Sequence, residues 1–463
     1  MVKANLLADT IAAIATPMGA GGIGIVRISG PEAFAVLEAV FSPYGCASAE
    51  GLAPRALVLG RLQHPDGSAI DEILAVRFPA PASYTAEDVA ELHCHGGSTV
   101  LREALHACLA AGARLAEPGE FTLRAFLNGR LDLSQAEAVQ DIIQAKTKPA
   151  LALAEAQLGG ALGRALQPLE ETLLDLLARL GAAADFPEEI EAIQPAALLQ
   201  SLQELDAAAA ALLAGAEQGR IYREGLAVVL FGPANAGKSS LLNALLGEER
   251  AIVTAAAGTT RDVIEESLNL SGLPLVLRDT AGLREAKDEA EAIGIGKGQQ
   301  AAAAAALLLL VSAADAPLDA DQLAAFLAEH AKQKILLVCN KSDQSNAAAY
   351  ARQLRAQANG LPLLLLSAKT GEGLPALRQA LLDLALDGQA EPTTPLGNVR
   401  HQEALLRMRE HLHAAIETLK AGLPQDLAAV DLEEAWQALG EISGKTAGES
   451  VLDAIFSTFC LGK

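Results

Sequence analysis

The chain has 463 residues and a formal net charge of −22 at pH 7, a length that favours about three domains. The negative charge excludes a chain-wide basic surface for nucleic acid, although it does not exclude a local basic patch. The longest apolar run, 301–311, is too short to span a bilayer. Five cysteines without C-x-x-C spacing indicate reduced thiols, so we expect a cytoplasmic protein with no membrane segment.

Residues 1–120 alternate short β-like runs with helical runs, separated by glycine and proline. The patterns predict strands at 11–15, 23–29 and 73–78 and helices at 31–40 and 99–111. This mixture is typical of a compact α+β domain.

Residues 121–220 carry leucine and alanine at helical spacing, which predicts almost unbroken helix with one interruption near 185–187. Helical character returns near residue 400 and continues to residue 463. We therefore predict one discontinuous helical domain, 121–220 with 386–463, into which another domain is inserted. The segment 388–398, with two prolines, is the predicted returning linker.

Residues 221–385 alternate predicted strands and helices, as in a doubly wound sheet. Between an apolar strand at 226–231 and a helix at 240–246 lies Gly-Pro-Ala-Asn-Ala-Gly-Lys-Ser, 232–239, which fits the phosphate-binding pattern G-x-x-x-x-G-K-[ST]. Backbone N–H groups and the helix N-terminus of such a loop face phosphates. We expect Lys238 to contact the β- and γ-phosphates and Ser239 to bind Mg²⁺.

Two further motifs belong to the same phosphate site. Gly-Thr-Thr-Arg-Asp at 258–262 lies in a loop where Thr259 or Thr260 would complete the Mg²⁺ shell, so loss of the γ-phosphate would release the loop. Asp279 follows a predicted strand at 273–278 and would hold Mg²⁺ through water, and the Gly282 N–H would face the γ-phosphate.

Asn-Lys-Ser-Asp at 340–343 follows a predicted strand at 335–339. The Asp343 carboxylate would accept hydrogen bonds from two N–H groups of guanine. On adenine it would face a hydrogen-bond acceptor, so the site would reject ATP. With Ser-Ala-Lys at 367–369, the ordered motifs predict a GTPase. The predicted GTP-binding residues are Asn235, Ala236, Gly237, Lys238, Ser239, Ser240, Thr254, Thr259, Thr260, Asp279, Thr280, Ala281, Gly282, Asn340, Lys341, Asp343, Ser367, Ala368 and Lys369.

Leu283 occupies the position at which Ras-like proteins carry the glutamine that orients the attacking water. A leucine side chain cannot polarise water, and no arginine finger is evident in the loop. The catalytic group is therefore expected elsewhere in the chain.

These motifs, Leu283 and the terminal Phe-Cys-Leu-Gly-Lys at 459–463 resemble the MnmE (TrmE) family of tRNA modification GTPases. The resemblance covers essentially the whole chain, including 11–17, 21–30, 84–89, 91–97, 118–122, 125–128 and 131–133. It implies an α/β plus α protein in three parts. These are an N-terminal α+β folate-binding and dimerisation domain (1–120), a discontinuous helical-bundle domain (121–220 and 386–463), and an inserted Ras-like P-loop GTPase domain (221–385).

The resemblance also implies an activity and partners. A homodimer would form a heterotetramer with MnmG (GidA), a flavoprotein that carries FAD, and would act on tRNA in the cytoplasm. The pair would install a carboxymethylaminomethyl or aminomethyl group at carbon 5 of the wobble uridine of certain tRNAs. A 5-formyl- or methylene-tetrahydrofolate would supply the one-carbon unit, and GTP hydrolysis would be required.

The family's site residues map onto this chain position by position. In the family a potassium ion replaces the arginine finger, and its ligands map onto Asn235, Thr254, Ala256 and Thr259. A glutamate that maps to Glu291 would orient the attacking water through a second water. Lys238 and Thr260 are the other expected catalytic residues, and Ser239 and Thr260 the expected Mg²⁺ ligands.

The folate site of the family maps onto Arg27, Glu91, Arg130 and Lys463. A pterin edge offers paired N–H donors to a carboxylate, and cations suit the glutamyl tail. The chain departs from the family at Ala20, where an arginine is usual, which removes one basic contact.

Several features have competing interpretations. Cys460 is either a nucleophile for one-carbon chemistry or a buried cysteine that packs the tail. His93 and His95 flank Cys94, and a strand end leading into a glycine turn is favoured there over a metal site. For the whole chain, the alternatives are a regulatory GTPase of the ribosome-assembly kind and a folate-binding scaffold whose GTPase has decayed.

Overall fold

The structure, a computed structural model, describes residues 8–45, 51–186, 188–189, 193–249, 265–279, 305–331, 333–358, 360–386 and 396–463. Within these ranges, no helix combines the length and the apolar character that crossing a membrane requires. Several predicted site residues lie outside the described residues, namely Thr254, Ala256, Thr259, Thr260, Thr280, Ala281, Gly282 and Glu291, and so does Leu283.

The described strands and helices follow in chain order. The strands are β1 (Ile11–Ile14), β2 (Ile23–Ser29), β3 (Phe41–Pro43), β4 (Val58–Gln63), β5 (Ala69–Phe78), β6 (Val89–His95), β7 (Arg114–Leu115), β8 (Leu226–Phe231), β9 (Glu265–Leu270), β10 (Leu273–Asp279), β11 (Leu307–Ala313), β12 (Lys334–Asn340) and β13 (Leu363–Leu365). The helices are α1 (Ala33–Val40), α2 (Ser98–Ala110), α3 (Glu120–Leu127), α4 (Leu133–Gln144), α5 (Lys148–Leu158), α6 (Ala161–Asp185), α7 (Pro195–Ala214), α8 (Ala216–Glu224), α9 (Lys238–Glu249), α10 (Ala320–Glu329), α11 (Ala347–Gln357), α12 (Leu374–Leu386), α13 (Val399–Lys420), α14 (Gln425–Ser443) and α15 (Glu449–Phe456).

The chain divides into two compact units. Unit 1 comprises Met1–Gln140, Leu158–Glu170 and Glu433–Lys463, and unit 2 comprises Asp141–Gln157 and Glu171–Leu432. Each unit is therefore assembled from segments that are distant in sequence. The residue bounds of the three expected domains (1–120, 121–220 with 386–463, and 221–385) stay predictions.

Unit 1 contains a sheet of order β3-β4-β5-β6-β2-β1-β7. Its strands pair antiparallel except β1 and β7. Val26 and Leu92 lie in the core on the face that α1 and α2 cover. Because successive side chains alternate, Arg27 of β2 and its cross-strand neighbour Glu91 of β6 lie on the opposite face.

Unit 2 contains a sheet of order β13-β12-β11-β8-β10-β9, parallel apart from the β9–β10 pair. Both faces are buried, since Val228 and Val229 belong to separate core clusters, as expected for near-continuous apolar strands. The chain leaves β8 towards β9 and β10 on one side and later returns to β11 on the other. The carboxyl end of β8 is therefore the switch point at which ligands bind in such sheets.

The strands predicted at 23–29 and 226–231 are confirmed residue for residue. The prediction of almost unbroken helix over 121–220 is wrong, because breaks also occur at 128–132, 145–147 and 159–160. Gly129 and Gly160 have φ of 73° and 79°, a left-handed conformation that commonly follows a helix end. These two glycines accordingly follow the ends of α3 and α5.

A buried charge network joins the start of β1 to β7 and α3 in unit 1. Arg124 is 0 % exposed and donates to Asp9 Oδ1 at 2.6 Å and to Glu120 Oε1 at 2.9 Å. Arg114 donates to the same two carboxylates at 2.7 Å each. Burial raises the pKa of Glu120, but hydrogen bonds, first that from Arg114, outweigh it and lower the pKa overall.

Replacing Arg124 by methionine is expected to lower the stability of unit 1 by about 3–5 kcal/mol, because buried carboxylates would lose their compensating charge. Trp436 is the single tryptophan and lies in unit 1, so its fluorescence in a urea titration reports this unfolding. The same substitution at exposed Arg102 of α2 should change stability by less than about 0.5 kcal/mol. Equal losses for Arg124→Met and Arg102→Met would contradict the assigned role of the network.

Candidate functional site

The loop between β8 and α9 has the backbone shape of a phosphate cradle. Asn235 and Gly237 have φ of 62° and 89°, a left-handed conformation that asparagine and glycine adopt most readily. A Cβ on Gly232 would collide with the Val311 carbonyl of the adjacent strand β11. The residues present therefore fit the predicted phosphate group, since the tight loop delivers the chain into the first turn of α9.

Lys238 lies over this loop. Its Nζ donates to the carbonyls of Gly232 at 3.0 Å and Pro233 at 2.9 Å. The ammonium is thereby held at the edge of the cradle where the phosphate oxygens are expected. Asp279 is the last residue of β10 and pairs with Leu230 of β8, so its backbone lies beside the start of the loop.

The buried side chain of Asn340 connects the cradle to both base-recognition motifs. Asn340 is 2 % exposed, and its Nδ2 donates to the Ala236 carbonyl at 3.0 Å. Its Oδ1 accepts from the N–H groups of Lys341 at 2.8 Å and Ala368 at 3.0 Å. The structure therefore brings together the predicted GTP-binding residues of three motifs, and this connecting role of Asn340 was not predicted from the sequence.

Asp343 is oriented by a neighbouring motif. The Ser367 hydroxyl donates to Asp343 Oδ1 at 2.7 Å, and this hydrogen bond is the main reason that the pKa of Asp343 is lowered. An ionised, oriented carboxylate is the acceptor that two N–H groups of a guanine edge require. Lys341 of the same motif has φ of 61°, and its ammonium pairs with Asp315 at 2.7 Å.

A second cluster of predicted site residues lies on the face of the unit 1 sheet opposite α1 and α2. Arg27 Nε donates to Glu91 Oε1 at 2.9 Å, and His93 Nε2 lies 3.2 Å from Glu91 Oε2. Burial raises the pKa of Glu91, but the hydrogen bonds with His93 and Arg27 and the positive charge of Arg27 lower it overall. Glu91 is therefore an ionised acceptor held between the Arg27 and His93 side chains.

The last residues of the chain close on this cluster. The Phe121 N–H donates to the Lys463 carbonyl at 3.2 Å, and Arg27 Nη1 lies 3.5 Å from the Gly462 carbonyl oxygen. Gly462 has φ of 86°, and a Cβ there would approach Ala15 Cα to 2.8 Å. Burial and then the Arg27 charge lower the pKa of Lys463.

Arg130 joins the cluster through Tyr84, a residue that the sequence analysis did not assign. Arg130 Nη1 donates to the Tyr84 carbonyl at 2.8 Å, and the Arg130 guanidinium lies over the Tyr84 ring at 5.0 Å. The Arg27 guanidinium lies over the same ring at 5.1 Å. The four residues predicted for folate binding are thus gathered in one place, although they are scattered from the start to the end of the chain.

The cysteine and histidine alternatives are partly resolved. Cys460 is exposed, so its interpretation as a buried packing residue is wrong, and the adjacent Phe459 fills that role at 5 % exposed. β6 ends at His95 and the glycine turn follows, as predicted. Burial raises the pKa of Cys94 to about 12, which keeps that thiol protonated.

Substituting alanine for Asn340 is expected to weaken guanine-nucleotide binding at least about tenfold, because buried backbone groups of three motifs lose their partner. The matched control is Ser342→Ala in the same loop, since the Ser342 hydroxyl makes an exposed contact with Glu372 at 3.1 Å. Titration of a fluorescent GTP analogue measures both affinities. Equal affinities in the two variants would refute the connecting role.

The comparisons with known proteins agree on one family. The chain matches the model of the MnmE helical domain over residues 133–460 and that of the GTP-binding protein TrmE N-terminus over residues 10–130. The helical-domain match encloses the whole P-loop sheet, as expected for an inserted GTPase domain, and the predicted fold class is confirmed.

Relatives that match over nearly their whole length share one name. The chain is 48 % identical to the tRNA modification GTPase MnmE of Symbiobacterium thermophilum over 98 % of this chain and 99 % of that protein. It is 47 % identical to the protein of that name from Chloroflexus aurantiacus, over 98 % of this chain and 100 % of the relative. It is 45 % identical to the protein of that name from Heliobacterium modesticaldum, over 99 % of this chain and 100 % of the relative. The nucleotide site is therefore that of a GTP-hydrolysing enzyme, and the chain belongs to the MnmE (TrmE) family of tRNA modification GTPases.

Proposed function

We propose that this chain is a potassium-activated GTPase that modifies carbon 5 of the wobble uridine of certain tRNAs together with the flavoprotein MnmG. A tetrahydrofolate derivative is the proposed one-carbon donor. The observation that carries this proposal is the gathering of Arg27, Glu91, Arg130 and the terminal residue Lys463 in one unit. GTP hydrolysis involves the nucleotide site of unit 2, so a cluster of this chemistry in unit 1 supports a second ligand.

The chemistry of that cluster suits a reduced folate. The ionised Glu91 carboxylate matches the paired N–H donors of a pterin edge, and its lowered pKa keeps it an acceptor at neutral pH. The cations of Arg130 and Lys463 match the carboxylates of a glutamyl tail. When bound, the folate supplies the one-carbon unit, and these side chains would bind and orient it.

In the nucleotide site, Lys238 would contact the phosphates and Asp343 would select guanine. Ser239 and Thr260 are the proposed Mg²⁺ ligands, and Glu291 would orient the attacking water. The proposed potassium ligands are Asn235, Thr254, Ala256 and Thr259. A cation bound by these oxygens would supply positive charge where Ras-like proteins receive an arginine.

The proposed assembly is a cytoplasmic homodimer that binds MnmG to form a heterotetramer. Support for the homodimer comes from exposed apolar side chains on the face of the unit 1 sheet opposite α1 and α2. Ile23 and Leu59 are 67 % and 46 % exposed there, and Leu74 pairs with Leu59 across β4 and β5. A second copy of the same face would cover these side chains and the adjoining Arg27–Glu91 pair.

The function is tested by tRNA analysis. In cells that lack the native protein, Glu91→Gln is expected to lower modified wobble uridine at least about tenfold, because the charged acceptor is lost. Mass spectrometry of digested bulk tRNA measures this. Glu103→Gln is the matched control, since Glu103 makes an exposed pair with His64 at 3.4 Å and should restore full modification. If Glu91→Gln restores full tRNA modification, the proposed folate site is wrong. If the wild-type protein leaves the tRNA unmodified, the proposed function is wrong.

Potassium activation is tested by GTP turnover in potassium and in sodium at equal ionic strength. We expect turnover to be about a hundredfold faster in potassium, on the scale of a lost electrostatic contact to the transition state. Asn235→Gly should reduce this ratio, because it removes one ligand while glycine accepts the observed φ of 62°. A ratio of one for the wild-type protein would disprove activation.

A further inference from the structure

Tyr84 lies between Arg27 and Arg130 in the second cluster. Its ring centroid is 5.1 Å from the guanidinium carbon of Arg27 and 5.0 Å from that of Arg130. Two like charges are therefore held against one aromatic ring. Both charges belong to the residues that would meet the ligand.

The ring itself is fixed from several directions. The Tyr84 hydroxyl lies 2.9 Å from the Thr122 hydroxyl of α3, and the ring packs against the core formed by Ile11, Ala13, Ala116 and Phe121. The Tyr84 carbonyl accepts from Arg130 Nη1 at 2.8 Å. Arg130 is thus held by the backbone and by the ring of one residue.

This arrangement counteracts two costs of binding an anion. Two guanidinium groups close together repel each other, and the negative face of an aromatic ring attracts both. Arginine side chains also lose rotamer freedom when a ligand orders them, and a side chain ordered beforehand loses less. A ring anchored by Thr122 therefore keeps both cations in place before a ligand arrives.

We propose that Tyr84 is a positioning residue that holds Arg27 on Glu91 and Arg130 towards the carboxylates of a folate-type ligand. This role of Tyr84 rests on the proposed folate site. It adds the residue that gives that site a preference for a ligand with an anionic tail. The ring performs this role, and the hydroxyl only anchors it.

The first test compares 5-formyltetrahydrofolate with its dimethyl ester, which lacks the tail charges, by titration calorimetry on the full chain. The wild-type protein should prefer the charged form about tenfold. Tyr84→Phe should keep that preference, and Tyr84→Leu should reduce it to about twofold. Tyr44→Leu is the matched control, because Tyr44 is an exposed tyrosine of the same unit whose hydroxyl contacts Glu72 at 3.1 Å.

A second test preserves the shape of the site. Phenylalanine and its mono-, di- and trifluorinated forms at position 84 are nearly isosteric, but each fluorine weakens the attraction of the ring for cations. Affinity for 5-formyltetrahydrofolate should fall stepwise along the series, whereas a purely structural role would give no trend. Tryptophan fluorescence and GTP turnover verify that each variant is folded.

The outcomes separate the two claims. Loss of the charge preference in Tyr84→Leu together with the fluorine trend supports the positioning role. If the wild-type protein binds the ligand, an unchanged charge preference in Tyr84→Leu overturns the role of Tyr84, and so does the absence of a fluorine trend. Either result leaves the proposed folate site intact. Absence of binding by the wild-type protein overturns both.

Discussion

The buried amide of Asn340 is the interaction on which the nucleotide site depends. It extends from the end of β12 across the end of β11, where Asn340 pairs with Ala313, to the loop that follows β8. Its donor meets the phosphate cradle, and its acceptor receives N–H groups from both base-recognition motifs. An amide buried at this position has no access to water, so each group must find a protein partner. Phosphate and base recognition are therefore built as one hydrogen-bonded assembly.

The second cluster is constructed in a different way. Strand register sets Arg27 opposite Glu91, and the last two residues of the chain close on the pair through backbone contacts with Arg27 and Phe121. Nothing local in the sequence holds these groups together. Their proximity depends on the folding of the whole of unit 1, including the buried Arg124 network that connects α3 to the start of β1 and to β7.

These two constructions explain what the sequence could predict. The phosphate loop is a contiguous pattern between a strand and a helix, so its residues and both flanking elements were predictable from local spacing. The breaks in the long helical region were missed because alanine and leucine dominate there. Gly129 and Gly160 give only a weak local signal against that background. The connecting role of Asn340 and the contacts of Tyr84 arise from side chains that meet only in three dimensions, and no spacing rule describes them.

The placement of the cysteines has a practical consequence for following the second site. Among the cysteines that the structure describes, Cys94, Cys108 and Cys339 are buried and Cys460 is exposed. The Lys463 N–H donates to the Cys460 carbonyl at 3.3 Å, so a dye coupled to that sulfur would report from within one turn of Lys463. Cys46 lies outside the described residues, so it would be replaced to direct the label to Cys460. Binding of the proposed one-carbon donor could then be followed optically in real time, independently of nucleotide turnover.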